Sequence, residues 1–271
     1  MLFWGWFEFL CFFANIEYPY YIFDHIGMSR NGILVTNGFP RMISVTLEAS
    51  YLAQILIPII PFFYWFGQSK SKFIYSTWFY KILYLISIIT LLVAQTSTGI
   101  LGFLLVMGLL LKNKISSYKK SIRLVFIFIF IIICIVGLFF AVNLIIKKSN
   151  NYSGIERLKT VILGFEYFLH YPILGLGWGV FPTYDFIVNL LANFGLVGTI
   201  PFFIFLRNIY MSFKQKIKIE ESKMYKAGFE SFILILIVSQ LSGFIYHSQY
   251  FWIYIGVAFC ISSMHNKKLV S

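Results

Sequence analysis

Long apolar blocks without charged residues restrict the fold of this chain more than any other feature. The longest block, 124–146, contains about 23 residues and no charged side chain, and a stretch of roughly 20 apolar residues can cross a bilayer as a helix. Only 12% of all residues are charged, which is about half the share in a soluble domain. Because the apolar residues form blocks instead of stripes, we expect lipid to surround most of the chain.

The blocks predict an all-α, polytopic integral membrane protein with about eight transmembrane helices. The expected spans are 2–16, 47–66, 77–95, 100–111, 124–146, 187–206, 229–246 and 251–264. We expect residues 1–271 to form a single transmembrane domain. Its longest polar insertion, 147–186, is expected to be a large extracytoplasmic loop that contains a short helix at 155–169.

The basic residues predict the orientation of these spans. The chain has 22 Lys and Arg against 10 Asp and Glu, a net charge of +12. In the eight-span topology, sixteen of the basic residues lie on one side and six on the other. Since cytoplasmic loops carry the excess of Lys and Arg, both termini are expected in the cytoplasm and the 147–186 loop outside. Orientation explains the positive charge, so we expect no nucleic-acid partner.

The predicted loop helix carries three ionisable residues that suit chemistry at a membrane surface. Glu166 and His170 are four residues apart and therefore share one face of a helix. Arg157 lies nine positions before Glu166, almost on the opposite side at 3.6 residues per turn. Either a bend at Gly164 or a partner from another segment is then needed to complete a site around Arg157. The alternative is an amphipathic helix on the membrane surface that contacts lipid headgroups.

Further polar residues lie beside or within the expected spans. Asp185, Asn189 and Asn193 recur every four residues and predict either hydrogen bonds between helices or a polar stripe for sugar hydroxyls. Glu48 follows Arg41 and lies about one turn into the second span. It is either a carboxylate in an outward-facing cavity or an interfacial residue that the helix dipole stabilises.

Several absences restrict the chemistry. Aspartate occurs only at Asp24 and Asp185, so no D-x-D pair is available for a divalent metal and a nucleotide sugar. Cys11, Cys134 and Cys260 lie far apart in apolar runs and fit small core residues. We expect neither a metal nor a cofactor. Gly175, Gly177 and Gly179 follow no predicted strand, and the Walker lysine is absent, so they predict a turn whose amides can hold an anion.

Three segments in order resemble the signature of O-antigen polymerases and ligases. They are Gly154-x-x-Arg157, His170-Tyr-Pro-Ile-Leu-Gly-Leu-Gly177 and Leu191-Ala-Asn-Phe-Gly-Leu-Val-Gly198. The family signature runs as G-R, P-L-L-G-x-G and L-A-E-x-G-L-x-G. Arg41 with Leu47-Glu-Ala-Ser-Tyr-Leu-Ala53 is similar to the family's R…E-P-S-x-x-A element, and Gln95-Thr-Ser-Thr-Gly99 lies where the family often has a turn.

Three departures from the signature restrict which members of the family the chain resembles. The ligases carry His-Asn before the third element, where this chain has Tyr184-Asp185, and this difference favours a Wzy-type polymerase over a lipid A ligase. Ala49 replaces the family's proline. Family members usually have ten or more spans, so the resemblance implies that N-terminal spans are missing from this chain.

The resemblance implies a GT-C-like membrane glycosyltransferase in the bacterial inner membrane. Its reaction is the polymerisation of lipid-linked oligosaccharide repeats into a capsular or O-antigen-type polysaccharide. Its substrate is a polyprenyl pyrophosphate-linked oligosaccharide, and membrane lipid surrounds it.

The residues divide into two expected groups. Catalysis is expected from Arg157, Glu48, His170 and Glu166, and substrate binding from Arg41, Asp185, Asn189 and Asn193. The alternatives are a flippase or transporter of lipid-linked sugars, and an inactive truncated polymerase.

Overall fold

The described part of the chain is mostly helical. The computed structural model describes residues 1–20, 35–36, 39–40, 42–44, 46, 48–68, 76–115, 135, 152–219, 222–241 and 249–264. Its helices are α1 (Leu2–Ala14), α2 (Ala49–Gly67), α3 (Thr77–Val93), α4 (Ser97–Ile115), α5 (Tyr152–His170), α6 (Phe186–Ile219), α7 (Lys223–Leu241) and α8 (Gln249–Ser263). Two short strands, β1 (Val35–Thr36) and β2 (Phe39–Pro40), form an antiparallel pair. The all-α class is therefore confirmed, whereas Arg41 and nearly all of the predicted 124–146 span lie outside the described residues.

Within the described part of the chain, two helices are long and apolar enough to cross a membrane. They are Ala49–Gly67, with 19 residues, and Phe186–Ile219, whose 34 residues form two arms that meet at a bend at Gly195. The apolar helices α1, α3 and α8 have 13, 17 and 15 residues, fewer than the roughly 20 that a spanning helix needs. Length and composition thus give membrane-compatible helices, while the number of eight spans stays a prediction.

The chain divides into two compact units. The first contains Met1–Ile60 and Trp78–Ile155, and the second contains Pro61–Thr77 and Glu156–Ser271.

A buried carboxylate in α1 organises part of the first unit. Glu8 is only 1% exposed, and its Oε2 accepts hydrogen bonds from the amides of Ile43 at 3.0 Å and Ser44 at 2.7 Å. Consecutive amides of this kind form a small anion-binding concavity, and Ser44 has a positive φ of 61°. The Tyr20 hydroxyl donates to Oε1. Burial, and then the charge of Glu8, raises the pKa of Tyr20, so this phenol remains a donor.

Close contact between α2 and α4 depends on a small residue in the first unit. A Cβ atom at Gly102 would lie 1.9 Å from Cδ1 of Ile57, so a larger residue there would require the Ile57 side chain to move. Small residues serve the same purpose where helices pack in membranes. The Trp6 indole donates to the Thr90 hydroxyl at 3.0 Å and joins α1 to α3.

Helices α6, α7 and α8 pack around one apolar core in the second unit. Its buried aromatic members include Phe186, Phe213, Phe232 and Phe251. The rings of Phe213 and Phe229 lie 6.0 Å apart, and so α6 and α7 run side by side. Aromatic rings in these arrangements bury large apolar areas and hold the three helices together.

Helix α6 is bent sharply at Gly195, where φ is 56° and ψ is −161°. The rings of Phe186 and Phe202 lie 6.1 Å apart, although sixteen residues of straight helix would separate their Cα atoms by about 24 Å. The arm 186–194 therefore folds back towards the arm 196–219. The predicted span 187–206 is corrected to two helical arms, and the basic stretch expected as a loop after 206 continues as helix to Ile219.

The segment 172–177 fills the bend. The amides of Leu176 and Gly177 donate to the carbonyls of Ala192 and Asn193, each at 2.9 Å. In return, the amides of Leu196 and Val197 donate to the carbonyls of Pro172 at 2.8 Å and Ile173 at 3.1 Å. These last two amides would otherwise bond to residues 192 and 193 of the same helix. The inserted segment thus replaces both hydrogen bonds that the helix loses.

We predict that Gly195→Ala destabilises the second unit. Alanine disfavours the positive φ, and its Cβ would lie 2.3 Å from the carbonyl oxygen of Ile173, so we expect a loss of more than about 2 kcal/mol. The measurement is the apparent melting temperature of the purified protein in detergent. Gly256→Ala in α8 is the matched control because its Cβ meets nothing within 4 Å. Equal melting temperatures for the two variants would contradict the proposed role of the bend.

Candidate functional site

Helix α5 lies against the residues that lead into α6. A Cβ atom at Gly164 would lie 2.6 Å from Cγ2 of Thr183 and 2.9 Å from Cγ1 of Val188. The rings of Tyr167 and Phe181 meet edge to face with centroids 4.8 Å apart. Gly164 therefore permits close packing within one continuous helix, Tyr152–His170, and the bend that would have aimed Arg157 and Glu166 at one point is absent there.

Arg157 is held on this packed side of α5. Its guanidinium carbon lies 4.7 Å from the centroid of the Tyr184 ring, a distance at which a cation is attracted to the face of an aromatic ring. Its Nε is buried and has no hydrogen-bond partner among the described residues. A buried donor without a partner is rare in folded proteins. The Tyr184 ring fixes the guanidinium, whose planar donors suit a phosphate or carboxylate.

Asp185 connects the loop to α6 and α7. One carboxylate oxygen accepts the amide of Val188 at 2.8 Å, which caps the start of α6. The other oxygen accepts a hydrogen bond from the side-chain amide of Gln240 on α7. Both oxygens thus fix the helix start directly behind Tyr184, and so they help to position the ring beneath Arg157.

Asn189 and Asn193 hold the loop against the first arm of α6. Asn193 is fully buried, accepts the amide of Phe181 at 2.9 Å and donates to the Phe181 carbonyl at 2.8 Å. Its amide nitrogen also reaches the carbonyl oxygen of Asn189 at 2.9 Å. Asn189 in turn donates to the carbonyl of Thr183 at 3.2 Å. The polar stripe expected from the spacing exists, and its hydrogen bonds support the loop.

Glu166 and His170 lie on the other side of α5. Both side chains are exposed, whereas Arg157 is half-buried against the loop, as the helical phase predicted. Next to them runs an exposed apolar stripe that contains Leu158 and Phe165. On the side that faces away from the loop, α5 therefore carries both apolar and polar exposed residues. This pattern agrees with a helix that lies along a membrane.

The glycines after His170 have a role in backbone packing and not in binding an anion. Gly175, Gly177 and Gly179 all have positive φ, between 68° and 110°. Amides of the segment are already used, since Leu176 and Gly177 donate to α6 and Gly175 donates to Tyr171. A Cβ at Gly175 would lie 2.6 Å from the amide nitrogen of Gly195. Of these glycines, Gly175 therefore lets the loop backbone touch the backbone of α6.

Glu48 belongs to the first unit, and Arg157 to the second. Glu48 is half-buried just before α2, its carboxylate accepts a hydrogen bond from Ser50 at 3.1 Å, and its carbonyl accepts the amide of Tyr51 at 3.0 Å. It thus lies just before the start of α2 and not one turn into a span. The structure brings Arg157, Asp185, Asn189 and Asn193 into one region of the second unit.

Sequence reasoning missed three contributors to these two units. Tyr184 gave no signal because an aromatic residue in a loop has many uses. Glu8 and Glu230 had a clear signal, since each is a carboxylate in an apolar helix. Glu230 is buried and accepts the indole N–H of Trp65 at 2.8 Å.

The fold and the site define a class: a mostly helical protein with membrane-compatible helices and a loop docked into a broken helix. No protein-family model matches the chain, and no curated protein is detectably similar to it in sequence. The resemblance to O-antigen polymerases therefore rests on the motifs themselves and stays a prediction.

We predict that Asn193→Ala loosens the loop. The substitution leaves the buried amide and carbonyl of Phe181 without partners, each costing about 1–3 kcal/mol, so the open state should be at least about tenfold more populated. The measurement is the rate of chymotrypsin cleavage around Trp178 and Phe181 in the native protein. Asn208→Ala is the control because Asn208 is exposed on the same helix. Equal cleavage rates in both variants would show that Asn193 does not restrain the loop.

Proposed function

We propose that this protein is a Wzy-type polysaccharide polymerase of the bacterial inner membrane. Its reaction is glycosyl transfer from a polyprenyl pyrophosphate-linked chain to an acceptor sugar hydroxyl, without a metal. The observation that carries the proposal is the Arg157 guanidinium, held on the Tyr184 ring at 4.7 Å, with a buried Nε that no described residue pairs with. Such a group can stabilise the negative charge of a departing diphosphate.

The geometry of the motif segments supports the proposal. The segments 170–177 and 191–198, which carry the resemblance, pair through four backbone hydrogen bonds. Gly175 and Gly195 lie so close that neither tolerates a Cβ. Glycines in these two motifs are therefore physically coupled in this chain.

The proposed mechanism follows from the bond that must break. The acceptor hydroxyl oxygen attacks the anomeric carbon, the bond from that carbon to the phosphate oxygen breaks, and the hydroxyl proton passes to a base. Arg157 and Arg41 stabilise the diphosphate leaving group. Glu48 is the first candidate for the base. His170 and Glu166 rank after it because they face away from Arg157 on the continuous helix α5. Asp185, Asn189 and Asn193, expected to bind substrate, support the site through the hydrogen bonds that hold the loop, since Asn189 and Asn193 are only 2% and 0% exposed.

The proposed topology gives this chemistry its location. Eight spans with both termini in the cytoplasm place 147–186 on the outer face, where lipid-linked repeats are polymerised. Arg157 and the exposed apolar stripe of α5 then lie at the lipid boundary, where a polyprenyl chain meets its diphosphate. An impermeant thiol reagent that labels Ser153→Cys from outside would support this orientation, and labelling only from the cytosol would overturn it.

We predict that Arg157→Ala abolishes polysaccharide polymerisation. Loss of one group that stabilises a developing negative charge costs roughly 10²–10³ in rate. The measurement is the chain-length distribution of polysaccharide in a bacterial strain without its own copy of the gene, complemented with each variant at equal protein level. Lys159→Ala is the control because Lys159 is an exposed cation on the same helix. Arg157→Lys keeps the charge but loses the planar guanidinium, so intermediate activity is expected.

The outcomes separate the proposal from its alternatives. Normal chain length with Arg157→Ala would overturn the assignment of Arg157. If a deletion strain accumulates lipid-linked repeats inside the cell instead of outside, the protein is a flippase or transporter. If the unmodified chain fails to restore polysaccharide, the chain alone is not an active polymerase.

A further inference from the structure

An apolar groove runs between the second arm of α6 and helix α7. Its volume is about 580 Å³, within the roughly 300–1,000 Å³ of typical ligand sites. Phe203 and Leu206 line it from α6, and Ile233, Leu236 and Ile237 line it from α7. Phe203 and Ile237 remain 40% and 39% exposed, although both helices pack in the core of the second unit. The groove offers apolar surface along about 12 Å of helix axis, from residue 232 to residue 240.

The two ends of the groove differ in charge. At one end the side-chain amide of Gln240 is engaged with the Asp185 carboxylate. At the other end lie the exposed guanidinium of Arg207 and the ring of Tyr210. Lys214 lies 6.0 Å from the centroid of the Tyr210 ring and shares a helix face with Arg207, seven residues before it. The arm 196–219 contains four basic residues and no acidic one.

We infer that this groove binds an anionic phospholipid. One acyl chain lies along the apolar walls, and the phosphate is held by Arg207, with Lys214 as a second cation. An apolar slot with cations at one end complements this molecule, because the chain avoids water and the phosphate accepts charge-assisted hydrogen bonds. The cationic end lies about two helical turns of α7 away from Gln240 and Asp185. The proposed phosphate position is therefore separate from the Arg157 region, whereas the opposite end of the groove reaches Gln240. The inference does not depend on the proposed polymerase activity.

Charge complementarity favours this occupant over others. A zwitterionic lipid would bring a choline or ethanolamine cation to an end that is already positive. A second copy of this chain would bring another set of Lys and Arg to the same place. A phospholipid with a net negative headgroup meets both the apolar walls and the cations.

The test measures lipid retention by native mass spectrometry of the full chain, released from detergent with phosphatidylglycerol or phosphatidylcholine. The unmodified protein should retain phosphatidylglycerol at least about fivefold more strongly. Arg207→Gln should remove most of this preference and leave phosphatidylcholine retention unchanged. Ile237→Trp fills the groove and should reduce binding of both lipids. Lys218→Gln is the control because Lys218 is exposed on the same helix and does not line the groove.

Four outcomes would overturn the inference. Equal losses for Arg207→Gln and Lys218→Gln would indicate general attraction to a basic helix. Unchanged binding in Ile237→Trp would place the lipid elsewhere. A polyprenyl phosphate is added as a competitor in the same experiment. If it displaces phosphatidylglycerol from the unmodified protein and from the Arg207→Gln variant equally well, the groove binds the tail of a polyprenyl substrate. A dimer that Ile237→Trp dissociates would assign it to a second copy of the chain.

Discussion

At Gly195, helix α6 loses two of its own hydrogen bonds, and the segment 172–177 supplies replacements for all four backbone groups concerned. This exchange matters most if α6 lies in lipid, because no water is present there to satisfy free amides and carbonyls. Broken helices are tolerated at membrane depth only where protein covers the break. The glycines at 175 and 195 are required on both sides of the contact, since a Cβ on either would meet backbone of the other segment. The bend, the loop and the two glycine motifs thus form one structural unit.

The position of Arg157 depends on that unit. With the loop fixed in the bend, Asn193 pairs with Phe181, and Asp185 caps α6. Tyr184 lies between these two fixed points and presents its ring to the guanidinium. A functional side chain is most effective when packing and hydrogen bonds hold it in place in advance. Here the support comes from α6, while the cation comes from α5, so residues far apart in the sequence share one region.

The sequence predicts the positions of the helices better than it predicts their bends. Apolar blocks predicted the helical class, and helical phase correctly separated Arg157 from Glu166 and His170. The spacing of Asp185, Asn189 and Asn193 also predicted a common face. The bend at Gly195 was missed because L-A-N-F-G-L-V-G reads as continuous apolar helix, and a glycine adopts positive φ there only when a distant segment satisfies the broken hydrogen bonds. Tyr184 was missed for the same reason, since its role depends on a contact between two segments and not on a local pattern.

A loss of activity after removal of a buried acid is interpreted differently from a loss of activity after removal of Arg157. Glu8 accepts two backbone amides, Glu230 accepts the indole of Trp65, and Asp185 holds a helix start. Removal of any of these carboxylates leaves buried donors without partners, which costs about 1–3 kcal/mol each, so lost activity would not distinguish chemistry from misfolding. The buried Nε of Arg157 instead has no hydrogen-bond partner in the part of the chain that the structure describes, so its removal leaves no such buried donor there. At Arg157, an effect on activity therefore separates from an effect on stability more cleanly than it does at these three carboxylates.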